Sequence, residues 1–236
     1  MKVLILAGGL GTRISEETEN KPKPMVRIGD KPLLWHLMNI FSSQNYNDFI
    51  LALGYKHEVA TEWVNSFENK GNWQIDPINT GLNTQTGGRI KKCIQKYPNQ
   101  RIIVTYGDGL ANVSIEKLVN FHNSHGKLAT VTAVRPPARF GYLHIEDKKV
   151  TNFGEKNQAD EGWINGGFFV LEPQIIDFIE GDSDLFETGA LPKLAKAGEL
   201  MAFEHFGFWQ PMDTLREKNE LIKLATQITP PWLEVD

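Results

Sequence analysis

A single cysteine, Cys93, in 236 residues leaves no partner for an intramolecular disulfide, which fits a reducing compartment. Its bland reading is a small apolar filler. No apolar run approaches the ~18 residues a membrane span requires. The chain enters a strand at once, without a charged leader, apolar core segment or cleavage site, so a cytoplasmic enzyme is expected. Positive charge is not in excess: the formal net charge is −4. That argues against bulk attraction to nucleic acid, and basic residues do not cluster with aromatics as a nucleic-acid face requires. Any polyanion must be gripped locally. Two familiar phosphate loops are missing as well. From Gly9 the chain reads G-L-G-T-R-I, so Ile14 stands where a dinucleotide fingerprint needs its third glycine, and no G-K-[ST] run supplies a Walker loop. Nothing resembles a Ser-His-Asp or Cys-His device, and His122 and His125 have no evident third ligand for zinc.

What is present begins at the first turn. A short apolar strand, Lys2 to Leu6, runs into LAGGLGTRISEETENKPKPM, from Leu6 to Met25. Gly8, Gly9 and Gly11 sit where a buried strand should end, and without Cβ atoms their backbone N–H groups can crowd around a phosphate chain. Arg13 and Lys23 place two cations beside that cradle. Pro22 and Pro24 restrain the lysine's backbone from both sides. This suits a nucleoside triphosphate better than a dinucleotide. The bland reading is a tight connection between strand and helix.

With 41% hydrophobic and 23% charged residues the composition is that of an ordinary globular domain, and its length suffices for a full α/β core. Strand and helix patterns alternate, which predicts a mostly parallel sheet with helices on both faces. Leu33, Leu34, Leu37, Met38 and Phe41 recur at helical spacing after Pro32. Asp48 to Gly54 is a buried strand; Val59, Trp63 and Phe67 suggest a helix. Arg101 to Tyr106 (RIIVTY) is a strong central strand closed by Gly107-Asp108-Gly109. A helix from Ile115 to His122 and a strand from Lys127 to Val134 follow. Beyond Pro136-Pro137 the strands shorten (Tyr142 to Glu146, Val150 to Phe153, Trp163 to Leu171), as in a small antiparallel extension. Helices at Gln174 to Ile179 and Leu185 to Ala197, a strand at Leu200 to Glu204 and a helix from Leu215 to about Thr226 complete the pattern. No internal repeat, low-complexity run or interdomain linker is visible.

Several polar residues stand out. RIIVTY delivers Asp108 to its carboxyl end, where ligands sit in open α/β sheets; a carboxylate there suits Mg²⁺, which takes one or two carboxylates plus substrate phosphates. Gly-Asp-Gly is equally good turn chemistry. Asp213, in GFWQPMDT, reads unaided as a helix N-cap, and spacing does not pair it with Asp108. Glu155-Lys156 offers a further cation with an adjacent acceptor, although charged pairs at strand ends are usually solvated. Asn165-Gly166-Gly167 in an apolar strand indicates a close approach by a ligand, or a bulge.

Together these segments carry a resemblance. LAGGLGTRISEETENKPKPM, Thr86-Gly87-Gly88-Arg89, TYGDG, RFGYL (Arg139 to Leu143), INGGFFVL (Ile164 to Leu171) and GELMAFEHFGFWQPMDTLR (Gly198 to Arg216) span nearly the whole chain. The chain resembles the sugar-1-phosphate nucleotidylyltransferases, most closely their bacterial cytidylyl branch, which makes CDP-glucose. The resemblance implies one domain over 1–236 with a nucleotide part (1–135) and a sugar-phosphate part (136–236). It implies CTP and glucose 1-phosphate as substrates, Mg²⁺ as cofactor and a homo-oligomer; the alternative is another phosphorylated acceptor, or UTP or dTTP. Leu6, Ala7, Gly8, Gly9, Gly11 and Thr12 would then hold the nucleotide, with Arg13 and Lys23 on its β- and γ-phosphates and Gly107 and Asp108 beside it. Thr80, Gly81, Thr86, Gly87 and Gly88 would line cytosine and ribose. Asp108 and Asp213 would hold Mg²⁺. Lys156 would grip the sugar phosphate, and Gly141, Glu155, Asn165 and Gly166 the hexose. Arg13, Lys23 and Lys156 would be the catalytic cations. The chain departs from the family at Asn157, where Glu-Lys-Pro is common, and in a shorter Glu58 to Thr80 segment.

Overall fold

The first strand, β1 (Lys2–Ala7), is buried on both sides: Val3, Ile5 and Ala7 face one core, Leu4 and Leu6 the other. A strand covered on both faces has no reason to alternate with polar residues, which explains its unbroken apolar run. The computed structural model describes residues 1–66, 71–136, 141–146, 148–155 and 162–235, with the backbone alone at 141–146 and 152–155. After β1 come α1 (Ser15–Thr18), the ribbon of β2 (Arg27–Ile28) and β3 (Lys31–Pro32), and α2 (Leu33–Ser42), which starts directly after Pro32. β4 (Asp48–Leu53), α3 (His57–Ser66), β5 (Gln74–Asn79) and α4 (Thr86–Lys96) follow. The middle holds β6 (Ile102–Tyr106), β7 (Gly109–Ala111), α5 (Ile115–His125) and β8 (Ala129–Val134). Then come β9 (Gly141–Glu146), β10 (Lys149–Glu155), β11 (Ile164–Leu171), α6 (Ala190–Lys196), β12 (Leu200–His205), β13 (Trp209–Pro211) and α7 (Leu215–Ala225).

Among the described residues seven strands form one sheet, ordered β12-β8-β11-β6-β1-β4-β5. All neighbours run parallel except β11, which is antiparallel to both β6 and β8. Residues 164–171 therefore lie inside the main sheet, not in an antiparallel extension; of the three short strands expected there, β9 and β10 form a hairpin apart from that sheet. β5 and α4 are among the elements that escape the periodicity reading. β5 carries Pro77 and lies at the sheet's edge, where a missing N–H is tolerated. α4 carries two glycines in its first turn, after Thr86, and buries only a narrow apolar stripe, Ile90, Cys93 and Ile94. Residues 173–178 form a 3-10 turn rather than an α-helix, and α6 starts at Ala190, five residues later than expected. Phe67, expected on α3, lies outside the described residues. Burial raises the Cys93 thiol to about 12, leaving it a packing residue rather than a nucleophile. No described helix is long and apolar enough to cross a membrane.

The two histidines of α5 hold that helix to the sheet. Lys127 N–H donates to His125 Nδ1 (2.9 Å), so His125 Nε2–H donates to Thr130 Oγ1 (2.7 Å). The threonine hydroxyl then donates to His122 Nδ1 (2.8 Å), and His122 Nε2–H donates to Glu172 (3.3 Å). Every group is satisfied only with both rings neutral. Burial lowers both pKa values from 6.5, against the opposing pull of Glu172 on His122 and of Glu199 on His125. Buried His36 is shifted the same way, also by desolvation. Because the unfolded chain takes up these protons first, this stability is complete above about pH 6.5 and lost as pH falls below it. The denaturation midpoint should therefore drop between pH 7 and 5. A flat midpoint over that range would show the network tolerates protonation.

Candidate active site

Chain order reverses at β1: β4 and β5 continue on one side, while β6 returns to the other. Such a switch point leaves a crevice beyond the strand ends. There the carboxyl ends of β1 and β6 lie side by side, with Leu6 opposite Tyr106 and the Gly107 N–H bonded to the Leu6 carbonyl at 3.0 Å. A cavity of about 450 Å³ opens at this place, walled by residues 6–13, 82–86 and 106–108 together with Lys23, Pro24 and Arg89. Leu6, Ala7, Gly8, Gly9, Gly11, Thr12, Arg13, Lys23, Gly107 and Asp108 are all in that wall.

Two glycines of the loop have specific causes. Gly11 is left-handed (φ 66°), and a Cβ there would stand 2.8 Å from Thr18 Cγ2. A Cβ on Gly8 would lie 2.3 Å from Nη1 of Arg89. That arginine, to which the sequence analysis assigns no role, is 4% exposed. Its guanidinium donates to the carbonyls of Leu53 (2.9 Å), Gly8 (3.1 Å) and Leu82 (3.4 Å) and to Thr80 Oγ1. It thereby ties the ends of β1, β4 and β5 together behind the cradle. Burial lowers its pKa, and the Asp182 charge opposes that shift.

The two acids meet through a ribbon the sequence does not announce. β7 pairs antiparallel with β13 (Gly109 with Pro211, Ala111 with Trp209), and the Met212 N–H donates to the Asp108 carbonyl at 2.8 Å. Asp213 is thus carried beside Asp108. The indole of Trp209 anchors the ribbon by donating to the Gly166 carbonyl at 2.8 Å. Asp213 is not the N-cap of α7. Thr214 takes that role, in a capping box with Glu217, and the Glu217 carboxylate also accepts the Asp213 N–H at 2.7 Å. The Asp213 side chain is left to meet Lys23 and Arg13. Lys23, its side chain 9% exposed, donates to Asp108 (2.8 Å) and to Asp213 (2.6 Å), while exposed Arg13 donates to Asp213 (2.6 Å). Two cations and two acids balance one another beside a cavity made of glycine backbone.

Of the other residues, Thr86 stands in the wall and the rest fall elsewhere. Thr80 is buried, donating to the Leu53 carbonyl, and neither it nor Gly81 reaches the cavity; Leu82 to Thr86 form the wall there. Gly87 donates its N–H to the Asp184 carbonyl (2.9 Å), and Gly88 packs against Asp182, so both face the 181–184 turn. The Thr86 hydroxyl donates to Glu187 (2.7 Å) and accepts from the Phe186 N–H (2.9 Å). Gly141 and Glu155 are paired at the open end of the β9–β10 hairpin. Lys156 and the Glu155 side chain lie outside the described residues. Asn165, Gly166 and Gly167 form a bulge, where the β11–β8 register shifts, and Asn165 donates to the Tyr106 hydroxyl at 3.1 Å.

Residues 2–216 match the family model described as nucleotidyl transferase. The chain is 46% identical to a glucose-1-phosphate cytidylyltransferase of Salmonella typhi, over 98% of both chains. It is 40% identical to a probable glucose-1-phosphate cytidylyltransferase of Bacillus subtilis, over 98% of this chain and 99% of that one. In three dimensions it resembles HddC of Yersinia pseudotuberculosis, solved with GMP-PN, with a TM-score of 0.74, 30% identity and coverage of 94% and 98%. The chain belongs to the nucleotidyl transferase family.

Proposed function

We propose that this enzyme transfers the cytidylyl group of CTP to α-D-glucose 1-phosphate, forming CDP-glucose and pyrophosphate. The observation that carries the reading is the convergence of Arg13, Lys23, Asp108 and Asp213 on the glycine cradle, in a chain 46% identical to a cytidylyltransferase of that specificity. A phosphate oxygen of the sugar phosphate attacks the α-phosphorus in line, and the bond to the β-phosphate oxygen breaks. The nucleophile is already an anion, so no general base is required. Repulsion between anions and misalignment make up much of the barrier, and fixed cations with oriented N–H groups reduce both.

Asp108 and Asp213 suit Mg²⁺ on two grounds. Their oxygens both reach a single ammonium, so one small cation can be shared between them. Among the described residues no third acid, histidine or cysteine joins them, and Mg²⁺ takes few protein ligands when phosphates supply the rest. When bound, the metal neutralises phosphate oxygens and orients the leaving group. Lys23 and Arg13 then serve the β- and γ-phosphates, released from the acids that hold them in the free enzyme. Lys156 grips the sugar phosphate, and Gly141, Glu155, Asn165 and Gly166 receive the hexose.

Four nucleotides assayed against a panel of phosphorylated sugars and polyols, with pyrophosphate release as readout, test the reading. CTP with glucose 1-phosphate should give the highest kcat/KM and CDP-glucose as product. Preference for another nucleotide or acceptor would move the specificity within the family; no pyrophosphate with any pair would remove the activity.

A further inference from the structure

Leu82 to Thr86 line the cavity without a charged side chain, while Arg13 and Lys23 bring cations to the glycine cradle. The uncharged stretch suits the nucleoside and the cationic one the phosphates. The uncharged loop is closed by a cluster that includes Lys92 of α4 and Asp182, both outside the wall. The Thr80 carbonyl accepts from the Thr84 hydroxyl (2.7 Å) and from the Lys92 ammonium (2.9 Å). Gly81 makes the turn between them (φ 104°), where a Cβ would stand 2.9 Å from Thr84 Oγ1. Lys92 also donates to Thr84 Oγ1 (3.2 Å) and to Asp182 Oδ2 (2.6 Å), so all three ammonium hydrogens are used.

Thr84 Oγ1 lies within reach of a second acceptor, the same Asp182 oxygen, at 3.3 Å. A hydroxyl has one hydrogen and cannot serve both the carbonyl and the carboxylate. Bonds to an ionised acceptor are the stronger kind, so an unpaired Asp182 would draw that hydrogen off Thr80. Lys92 neutralises the carboxylate and leaves the hydrogen on the carbonyl. The loop's other ties do not depend on residue 92. Gly81 N–H donates to Asn79 Oδ1 (3.0 Å) upstream; Gln85 and Gly87 N–H donate to the carbonyls of Asp182 (2.7 Å) and Asp184 (2.9 Å) downstream. Between these anchors Arg89 reaches the Leu82 carbonyl at only 3.4 Å. The closure of residues 80–84 therefore turns on the Thr84 hydrogen.

We propose that Lys92 is a positioning residue for the nucleoside subsite: by pairing with Asp182 it keeps Thr84 bonded to the Thr80 carbonyl and so holds residues 82–84 in the wall. This rests on the nucleotidyl-transfer reading above and extends it to a side chain outside the cavity. As a surface ion pair alone, with side chains 39% and 62% exposed, Lys92 and Asp182 would contribute little.

Steady-state kinetics of Lys92→Met, Asp182→Ala and the double variant test it, with the nucleotide and sugar phosphate the wild type turns over best. Methionine suits a helix, so the lysine variant should fold. Lys92→Met should raise the nucleotide KM about 5- to 20-fold. The sugar-phosphate KM, and the pyrophosphate KM of the reverse reaction, should change less than about 2-fold. Asp182→Ala leaves Lys92 on Thr80 and Thr84, and its nucleotide KM should also stay within about 2-fold of wild type. The double variant should recover most of the loss, because the competing acceptor is gone and the Thr84 hydrogen returns to Thr80. An unchanged nucleotide KM in Lys92→Met, an equal rise in the pyrophosphate KM, or a double variant no better than Lys92→Met would overturn the assignment. A wild type inactive with every substrate pair would instead refute the underlying activity.

Discussion

Asp108→Asn should lower kcat by about 10²–10³-fold, the usual cost of one preorganised electrostatic contact, and Asp213→Asn should match it. Asparagine keeps the shape and one acceptor oxygen but removes the charge that Mg²⁺ requires. The ribbon of β7 and β13 is built from backbone bonds, so neither change disturbs how the two positions are brought together. Lys23 retains one acid in either variant. Both proteins should therefore fold and melt close to the wild type. Metal-free binding of CTP should persist, since Lys23 and Arg13 are freer to meet phosphate when one acid is neutral. The double variant should be little worse than either single one, because residues acting as a unit do not contribute additively. Pyrophosphate release at saturating CTP and sugar phosphate measures the loss; turnover within a few-fold of wild type in either variant would contradict the metal assignment.

Arg89→Met should cost stability and nucleotide binding together. The buried guanidinium has no carboxylate partner among its hydrogen bonds; it joins Leu53, Gly8, Leu82 and Thr80. Methionine fills the space but leaves several of these oxygens buried without a donor, against which stands relief from burying a charge. A net loss of about 2–3 kcal/mol is expected, or a fall in Tm of roughly 4–12 °C for a chain of this size. The KM for CTP should rise as well, because the Gly8 carbonyl is no longer held back from the cradle. Arg89→Lys should not rescue, since one ammonium cannot span three strand ends as a planar fork does. Gly8→Ala attacks the same contact from the other side, where the new methyl meets Nη1 at 2.3 Å. Its expected result is also a raised CTP KM. Arg89→Met that melts and binds CTP like the wild type would show that the cradle stands without this brace.

The parts of the molecule that depend on local pattern were visible in the chain itself. β1 is an unbroken apolar run after Lys2, and β6 opens with one, because both faces are covered; the glycine loop, Arg13 and Lys23 follow β1 directly. Features that depend on distant pairing were not. β7 and β13 have three residues each, no periodicity and about 100 residues between them, yet they bring Asp108 and Asp213 together. Asp213 looked like a helix cap because Asp and Thr are both good caps; the neighbouring Thr214 won, with Glu217 completing the box. Thr86-Gly87-Gly88 opens a helix, and the three residues divide: Thr86 stands in the cavity wall, whereas Gly87 binds the Asp184 carbonyl and Gly88 packs on Asp182. Residues 164–171 read as peripheral because strand direction leaves no mark in composition, and an antiparallel strand can be as apolar as its parallel neighbours.

A crystal of the enzyme grown with a non-hydrolysable CTP analogue and Mn²⁺, examined at the manganese absorption edge, is the most direct look at the pocket. The expected map has the triphosphate along Gly8 to Arg13, one anomalous peak touching both Asp108 and Asp213, and the Lys23 ammonium moved from those acids onto phosphate oxygens. A triphosphate bound elsewhere, or Lys23 still seated between the two carboxylates with manganese absent from them, would contradict it.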